Sequence, residues 1–382
     1  MEPHLFFRYF VVAGLINIFI LVLFLIKNRK INSVLFLLFS FLLLASFQAI
    51  LNAFDTKAFF LSFPHMTRIS WLQLSLFGPL IYLFVKKFTS VSKKMERQEL
   101  IHLLPFAVYL TILAPWFLKT AGEKKILISN FQGWSTADFG YLNQFNLLML
   151  VFYLSISLIH FKKYQKMIRE TFSDLNNRKL NYIGQFLYGI LLILLISALG
   201  FYGKKWNLPV IHHLYHYNYI MVVLMGYWVA YRILIQPEIF KSVEKEKYLP
   251  KEKYEKSGLT PSMRDELYQQ VITKMEVQKS YLDPDLTIDT LSAQIQKSRH
   301  HVSQTINEYT GRSFYDFVNY YRIEAVKSAL LDPKNTHLTI FGIALNCGFN
   351  SKATFNNAFK KFTNTTPSNF QKSKNIPFNL VG

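Results

Sequence analysis

Two stretches of this 382-residue sequence carry polar side chains at a spacing suited to reading duplex DNA. In the first, Arg299, His300, Ser303, Gln304 and Asn307 fall on one side of a helical pattern, with Val302, Ile306 and Tyr309 on the other. In the second, Lys352, Asn356, Asn357, Lys360 and Lys361 are set against Phe355, Ala358, Phe359 and Phe362. A helix fits the major groove, where a guanidinium can pair with guanine and a carboxamide with adenine. Lysines on the same face neutralise phosphates and release counterions. Any small helical domain also has polar helix faces. The repetition is what favours DNA: Ser298 and Ser351, each a plausible cap just before such a helix, stand 53 positions apart.

A different chemistry is conceivable at His212, His213 and His216. His212 and His216 are spaced i,i+4 and would share a helix face, as a pair of divalent-metal ligands requires. Tyr215, Tyr217 and Tyr219 interleave with them, and an aromatic belt at a membrane interface is the preferred reading. No catalytic constellation is found and no cofactor is called for. The single cysteine, Cys347, has no partner for a disulfide within the chain.

The elements that would position the two polar faces can be read from caps and turns. Leu286 to Ile295 reads as a helix capped by Thr287. Ser298 caps the next helix, and Gly311 ends it. Ser313-Phe-Tyr-Asp316 resembles a capping box opening a long helix to about Leu331, stopped by Pro333. The second pattern starts at Thr339, with Ile340, Ile343 and Ala344 inward, turns at Gly348-Phe349-Asn350 and continues from Ser351. Upstream, Ser262 precedes Met263, Leu267, Val271 and Met275 at four-residue steps, a stripe read as packing rather than a dimer seam, which ends at Asp283-Pro284.

Residues from about Leu286 to Gln371 resemble the AraC/XylS DNA-binding domain. The segment that carries the resemblance is Ile343-Ala344, Gly348-Phe349, Ser351, Phe355, Phe359-Lys-Lys361, Thr366-Pro-Ser368 and Phe370. Phe317-Val-Asn319 and Tyr321-Arg322 look like the family's connecting helix. Asn364 stands where the family usually has glycine, and asparagine tolerates the left-handed backbone such a position needs. The resemblance implies one monomer placing both recognition helices in successive major-groove segments. The N-terminal half looks like the multi-helix region of a membrane-bound subgroup, with Gly78-Pro-Leu80 and His102-Leu-Leu-Pro105 as its signs.

Composition supports a membrane half. The chain is 51% hydrophobic yet carries a net +20. Residues 1–240 hold 23 Lys and Arg against 9 Asp and Glu; residues 241–382 hold 20 against 14. The charge excess therefore lies in the more apolar part, as in a membrane protein whose cytoplasmic loops collect cations. Seven apolar runs, at 5–26, 34–54, 68–85, 101–118, 143–161, 182–202 and 214–235, are mostly near the ~20 residues a crossing needs. The first is too long for a cleaved signal peptide and lacks a small-residue cleavage site. Alternate connections carry 14 Lys and Arg and the opposite set 8, which puts the N-terminus outside and the C-terminus in the cytoplasm. The middle of every run lacks Asp, Glu, Lys and Arg, which argues against ion-coupled transport. Asn17, Gln48, Asn52, Gln73, Asn143, Gln144, Asn146 and Gln185 read as interhelical glue, and Pro79 and Pro105 as helix kinks.

The sequence thus predicts an all-α protein: a seven-helix transmembrane bundle at 1–240, a charged linker with an amphipathic helix at 241–282, and a domain at 283–382 with two helix-turn-helix motifs joined by a long helix. The expected function is that of a membrane-embedded one-component transcription regulator in a bacterial inner membrane, not an enzyme. Its expected partners are double-stranded DNA, the lipid bilayer, a possible second copy, and a small-molecule or membrane-protein signal. The alternatives are a latent factor freed by proteolysis in the linker, and a transporter or membrane enzyme with an accessory DNA-binding domain.

Overall fold

A computed structural model of the chain describes residues 33–54, 56–90, 94–130, 141–174, 180–206, 208–211, 214–235 and 259–374, with isolated positions between 9 and 23. Among the described residues every regular element is helical, apart from one isolated antiparallel bridge between Phe172 and Thr287. The chain divides into two compact units. One comprises 1–162 and 181–244, the other 163–180 and 245–382.

The first unit holds α1 (Ser33–Ala53), α2 (Lys57–Ser62), α3 (Ile69–Thr89), α4 (Leu104–Phe117), α5 (Ala121–Asn130), most of α6 (Tyr141–Thr171), α7 (Leu180–Lys205) and α8 (Leu214–Ile235). Five stretches among the described residues, not seven, are long and apolar enough to cross a membrane: Ser33–Leu51, Pro64–Thr89, Arg97–Phe117, Gln144–Thr171 and Asn181–Gly203. The first expected run lies largely outside the described residues. Of the last, the described apolar stretch is Ile220–Ile235.

Polar side chains tie these helices together. Gln73 of α3 donates to Gln48 of α1, Asn146 of α6 donates to the Trp71 carbonyl at 3.1 Å, and Arg232 of α8 donates to Gln185 of α7 at 2.6 Å. Gly78 leaves room for Tyr153: a Cβ there would lie 2.9 Å from that ring. Pro79 sits inside α3, as expected of a kink, whereas Pro105 occupies the first turn of α4, where its missing N–H costs no bond. Pro115 is the proline inside α4. A pairing that the sequence does not announce closes the end of α3. Lys87 and Glu99 are both buried and 2.8 Å apart, and Glu99 also caps the 3₁₀ turn Arg97–Leu103 and pairs with Lys86 at 3.1 Å.

The second unit contains α9 (Pro261–Glu276), α10 (Ile288–Ile295), α11 (Arg299–Thr310), α12 (Phe314–Leu331), α13 (Ile340–Asn346), α14 (Lys352–Thr363) and α15 (Pro367–Lys374), together with the last turns of α6 from Lys163. Two hydrophobic cores share α12. Its first half gives Phe314, Phe317 and Val318 to a core with Leu267, Val271 and Met275 of α9, Leu291 of α10 and Val302 and Ile306 of α11. Its second half gives Ile323, Val326 and Leu330 to a core with Ile343, Ala344, Phe355, Ala358 and Phe359. Each fully buried side chain of this size is worth about 1.5–3 kcal/mol, so neither motif keeps its core without the shared helix. Leu267, Val271 and Met275 of the α9 stripe are core packing, whereas Met263, in the first turn, is exposed. The cap of α9 is Thr260, ahead of Pro261 at the first helical position. Tyr309, expected inward, is 42% exposed because its ring stacks on Tyr268 and its hydroxyl donates to Asp265.

Candidate nucleic-acid interface

Helices α11 and α14 follow from local chemistry. The Ser298 hydroxyl accepts from the His301 N–H at 3.2 Å and the Ser351 hydroxyl from the Thr354 N–H at 3.3 Å, satisfying donors that a helix start leaves open. Gly311 ends α11 at φ 63° and Asn364 ends α14 at φ 56°, both left-handed. The turn before α14 requires glycine. Gly348 has φ 90°, and a Cβ there would lie 2.4 Å from the Tyr281 carbonyl oxygen. Ser313 accepts from the Asp316 N–H, but this is half of the expected capping box, because the Asp316 carboxylate reaches Lys361 Nζ at 2.6 Å instead. Cys347 is buried in the second core, which pushes its thiol up to about 11.

On α14 the structure places Lys352, Asn356, Asn357, Lys360 and Lys361 together on one exposed side, opposite buried Phe355, Ala358 and Phe359. Phe362 is partly buried against the same core. The face carries three cations and two carboxamides within twelve residues of helix.

The corresponding face of α11 is half-buried and heavily bonded. Arg299 Nη1 lies 3.2 Å from Asp289 Oδ1, and its Nη2 donates to Thr171 Oγ1 at 3.1 Å. Burial pushes the Asp289 carboxyl up, with Arg299 opposing. Ser303 and Asn307 both donate to Glu170 Oε2, at 3.3 and 3.0 Å. Gln304 donates to Glu308 at 2.7 Å, and the same carboxylate accepts from Arg264 at 2.9 Å, which holds the Glu308 carboxyl below its ordinary value. His300 alone of the expected five is exposed.

Sequence reasoning missed the segment that ends α6. Thr171, Phe172 and Ser173 are buried in the second unit. Ser173 accepts from Asn319 and Arg322 of α12, at 3.0 and 3.3 Å, through its carbonyl. Arg322 is fully buried and also donates to the Tyr281 and Asp283 carbonyls at 2.8 and 2.7 Å; burial lowers its pKa to about 10. Asn319 and Arg322 were noticed as matches to a connecting helix. That they would need buried acceptors was the signal available. Of the histidine pair, His212 lies outside the described residues and the side chain of His216 is not described.

A helix-turn-helix domain model matches residues 291–373. The probable transcription factor PqrA of Proteus vulgaris is 36% identical over 93 residues, 24% of this chain and 73% of that protein. An uncharacterized HTH-type transcriptional regulator of Staphylococcus aureus strain COL is 36% identical over 109 residues; these are 28% of this chain but only 14% of the longer relative. A solved structure of a Listeria innocua protein of unknown function aligns with 28% of this chain and 95% of its own, at 25% identity and a TM-score of 0.25. Through its C-terminal domain, the chain belongs to the AraC-type helix-turn-helix transcription regulators.

Proposed function

We propose that this protein is a membrane-embedded one-component regulator that reads DNA with the polar faces of α11 and α14. The base-reading residues in this proposal are Arg299, His300, Ser303, Gln304 and Asn307 on the first helix and Lys352, Asn356 and Asn357 on the second, with Lys360 and Lys361 on phosphates. The observation that carries it is the pair of serine-capped helices, each with an apolar stripe in its own core and a polar face turned away, joined by an 18-residue helix. At 1.5 Å per residue that helix is about 27 Å long, of the order of the ~34 Å between successive major-groove segments on one face of DNA.

The five long apolar helices support the membrane part of the proposal, with the runs at 5–26 and 214–235 as two further crossings. The loop charges orient the N-terminus outside and the DNA-binding domain, 283–382, in the cytoplasm of a bacterial inner membrane, behind the linker at 241–282. A signal at the outer face or within the bundle, from a small molecule or another membrane protein, would act by binding two states of the chain with different affinity. A second copy on the same DNA is compatible with this arrangement. A C-terminal reporter fusion tests the topology: activity confined to the cytoplasmic reporter is expected, and activity of the exported reporter alone would end the proposal. Genome-wide DNA crosslinking of the full chain should recover a common sequence motif.

A further inference from the structure

Three of the five α11 residues expected to read DNA, Arg299, Ser303 and Asn307, bond to one short piece of chain. Residues 163–174, the last turns of α6 and the three residues after it, lie along the DNA-binding unit at four places. Glu170 Oε2 accepts from Ser303 and Asn307, one helical turn apart on α11. Thr171 Oγ1 accepts from Arg299. Ser173 bonds the Leu286 carbonyl through its amide, at 3.3 Å, and through its hydroxyl, at 2.7 Å, beside the Phe172–Thr287 bridge. That hydroxyl also accepts from Arg322 Nη2 at 3.1 Å. Finally, Asp174 Oδ1 accepts from Thr354 Oγ1 at 2.8 Å, in the first turn of α14.

The charge pattern of the segment is not what chance packing would give. Lys163, Lys166 and Arg169 of this piece are exposed, whereas its two acids, Glu170 and Asp174, are the groups laid on the two recognition helices. A carboxylate oxygen held by a serine hydroxyl and an asparagine amide presents to α11 what a phosphate or a base acceptor would present. An acid at the start of α14 occupies the end of a helix that favours anions. While the segment is in place, its acids fill these donors and repel the DNA backbone.

We propose that residues 163–174 form an autoinhibitory latch, which occupies the recognition face of α11, bonds the first turn of α14 and must leave for DNA to bind. This inference rests on the reading of α11 and α14 as the DNA-contacting helices. The latch is continuous in the chain with the apolar stretch Gln144–Thr171, so a movement of α6 would act on Glu170 and Thr171 first. Latch and DNA are mutually exclusive ligands of one surface, and the coupling is reciprocal: weakening the latch raises DNA affinity, and DNA expels the latch.

The test uses the full chain in lipid nanodiscs and a duplex selected from a random-sequence library by the Glu170→Ala, Asp174→Ala variant. That variant loses both carboxylates and should bind the selected duplex about ten-fold more tightly than the unaltered chain, within the usual range of coupled equilibria. Glu170→Gln keeps an acceptor without the charge and should fall between the two. In parallel, the selected duplex should speed hydrogen exchange at the Ser173 amide of the unaltered chain while amides inside α12 stay protected, which also shows that the domain remains folded. Equal affinities of the unaltered chain and the double variant, or a Ser173 amide as protected with DNA as without, would overturn the latch and leave the DNA reading standing. If neither protein enriches any duplex, the DNA reading itself fails and the latch with it.

Discussion

Helices α11 and α14 each start on a serine cap, end on a left-handed residue and bury one apolar stripe against α12, yet their outward faces differ. On α14 the polar residues are exposed, and the cations Lys352, Lys360 and Lys361 lie among them. On α11 Arg299, Ser303, Gln304 and Asn307 are half-buried, each in a hydrogen bond to Asp289, Glu170, Glu308 or Thr171. The inner faces differ too: α14 contributes Phe355 and Phe359, α11 the smaller Val302 and Ile306. The same local motif therefore yields one helix anchored by rings with a face open to solvent, and one with a lighter anchor and an occupied face.

The largest expected effect breaks the anchoring. Phe359→Ala removes a fully buried ring from the second core and should cost about 3–5 kcal/mol, whereas Ile306→Ala in the first should cost less, within the range of about 2–5 kcal/mol for a buried aliphatic side chain. Hydrogen exchange of amides in α14 and α11 measures each loss locally. The difference between the helices would vanish if Ile306→Ala proved the more costly.

Next come the open faces. Lys352→Ala should weaken binding to a selected duplex by about 1–3 kcal/mol. Arg299→Ala should have a smaller net effect, since losing a DNA contact is offset by removing the bond to Thr171 that holds the segment 163–174 in place. Titrations at one fixed salt concentration compare them. A larger loss at Arg299 would show that the occupied face is not held against DNA.

What could be read in the sequence divides along similar lines. Thr287, Ser298, Gly311 and Ser351 were legible as caps because a cap is satisfied within three or four residues of itself. The apolar stripes were legible because helical period alone decides which side faces the core. The bonds of Glu170, Ser173 and Asp174 join positions 113 to 180 residues apart, and serine, threonine and acids look in sequence like any solvated loop. The buried pair of Lys87 with Glu99 escaped for a related reason: a lysine after an apolar run ordinarily marks the membrane surface. Tyr309 was misassigned because an aromatic ring at an apolar position can also be held outside, by stacking on Tyr268.

The helix ends offer a smaller contrast. A Cβ at Gly311 would meet nothing within 4 Å, so Gly311→Ala costs only the left-handed backbone, about 1–2 kcal/mol. Asn364→Gly should change stability by less than about 0.5 kcal/mol, because asparagine already tolerates that conformation. Thermal unfolding of the second unit within the full chain, followed by near-ultraviolet circular dichroism, reads both. A large gain at Asn364→Gly would mean that the second motif stores strain at its end where the first does not.

The smallest effect concerns Lys361, the one α14 cation among those expected at DNA that is held by an acid of its own domain. Its partner Asp316 lies in the first turn of α12, where a carboxylate is favoured by the helix terminus even without the lysine. Lys361 is half exposed, so the pair is screened, and Lys361→Ala should cost only about 0–1 kcal/mol of stability. On DNA the same lysine would have to exchange Asp316 for a phosphate, trading one anion for another. Lys361→Ala should therefore lower the salt dependence of binding by about one counterion while barely changing affinity at physiological salt. Lys360→Ala, whose ammonium meets no such acid among the described residues, should lower both. If the two substitutions gave the same loss of affinity, the Asp316 pair would be irrelevant to binding, and the exposed face of α14 would be uniform after all.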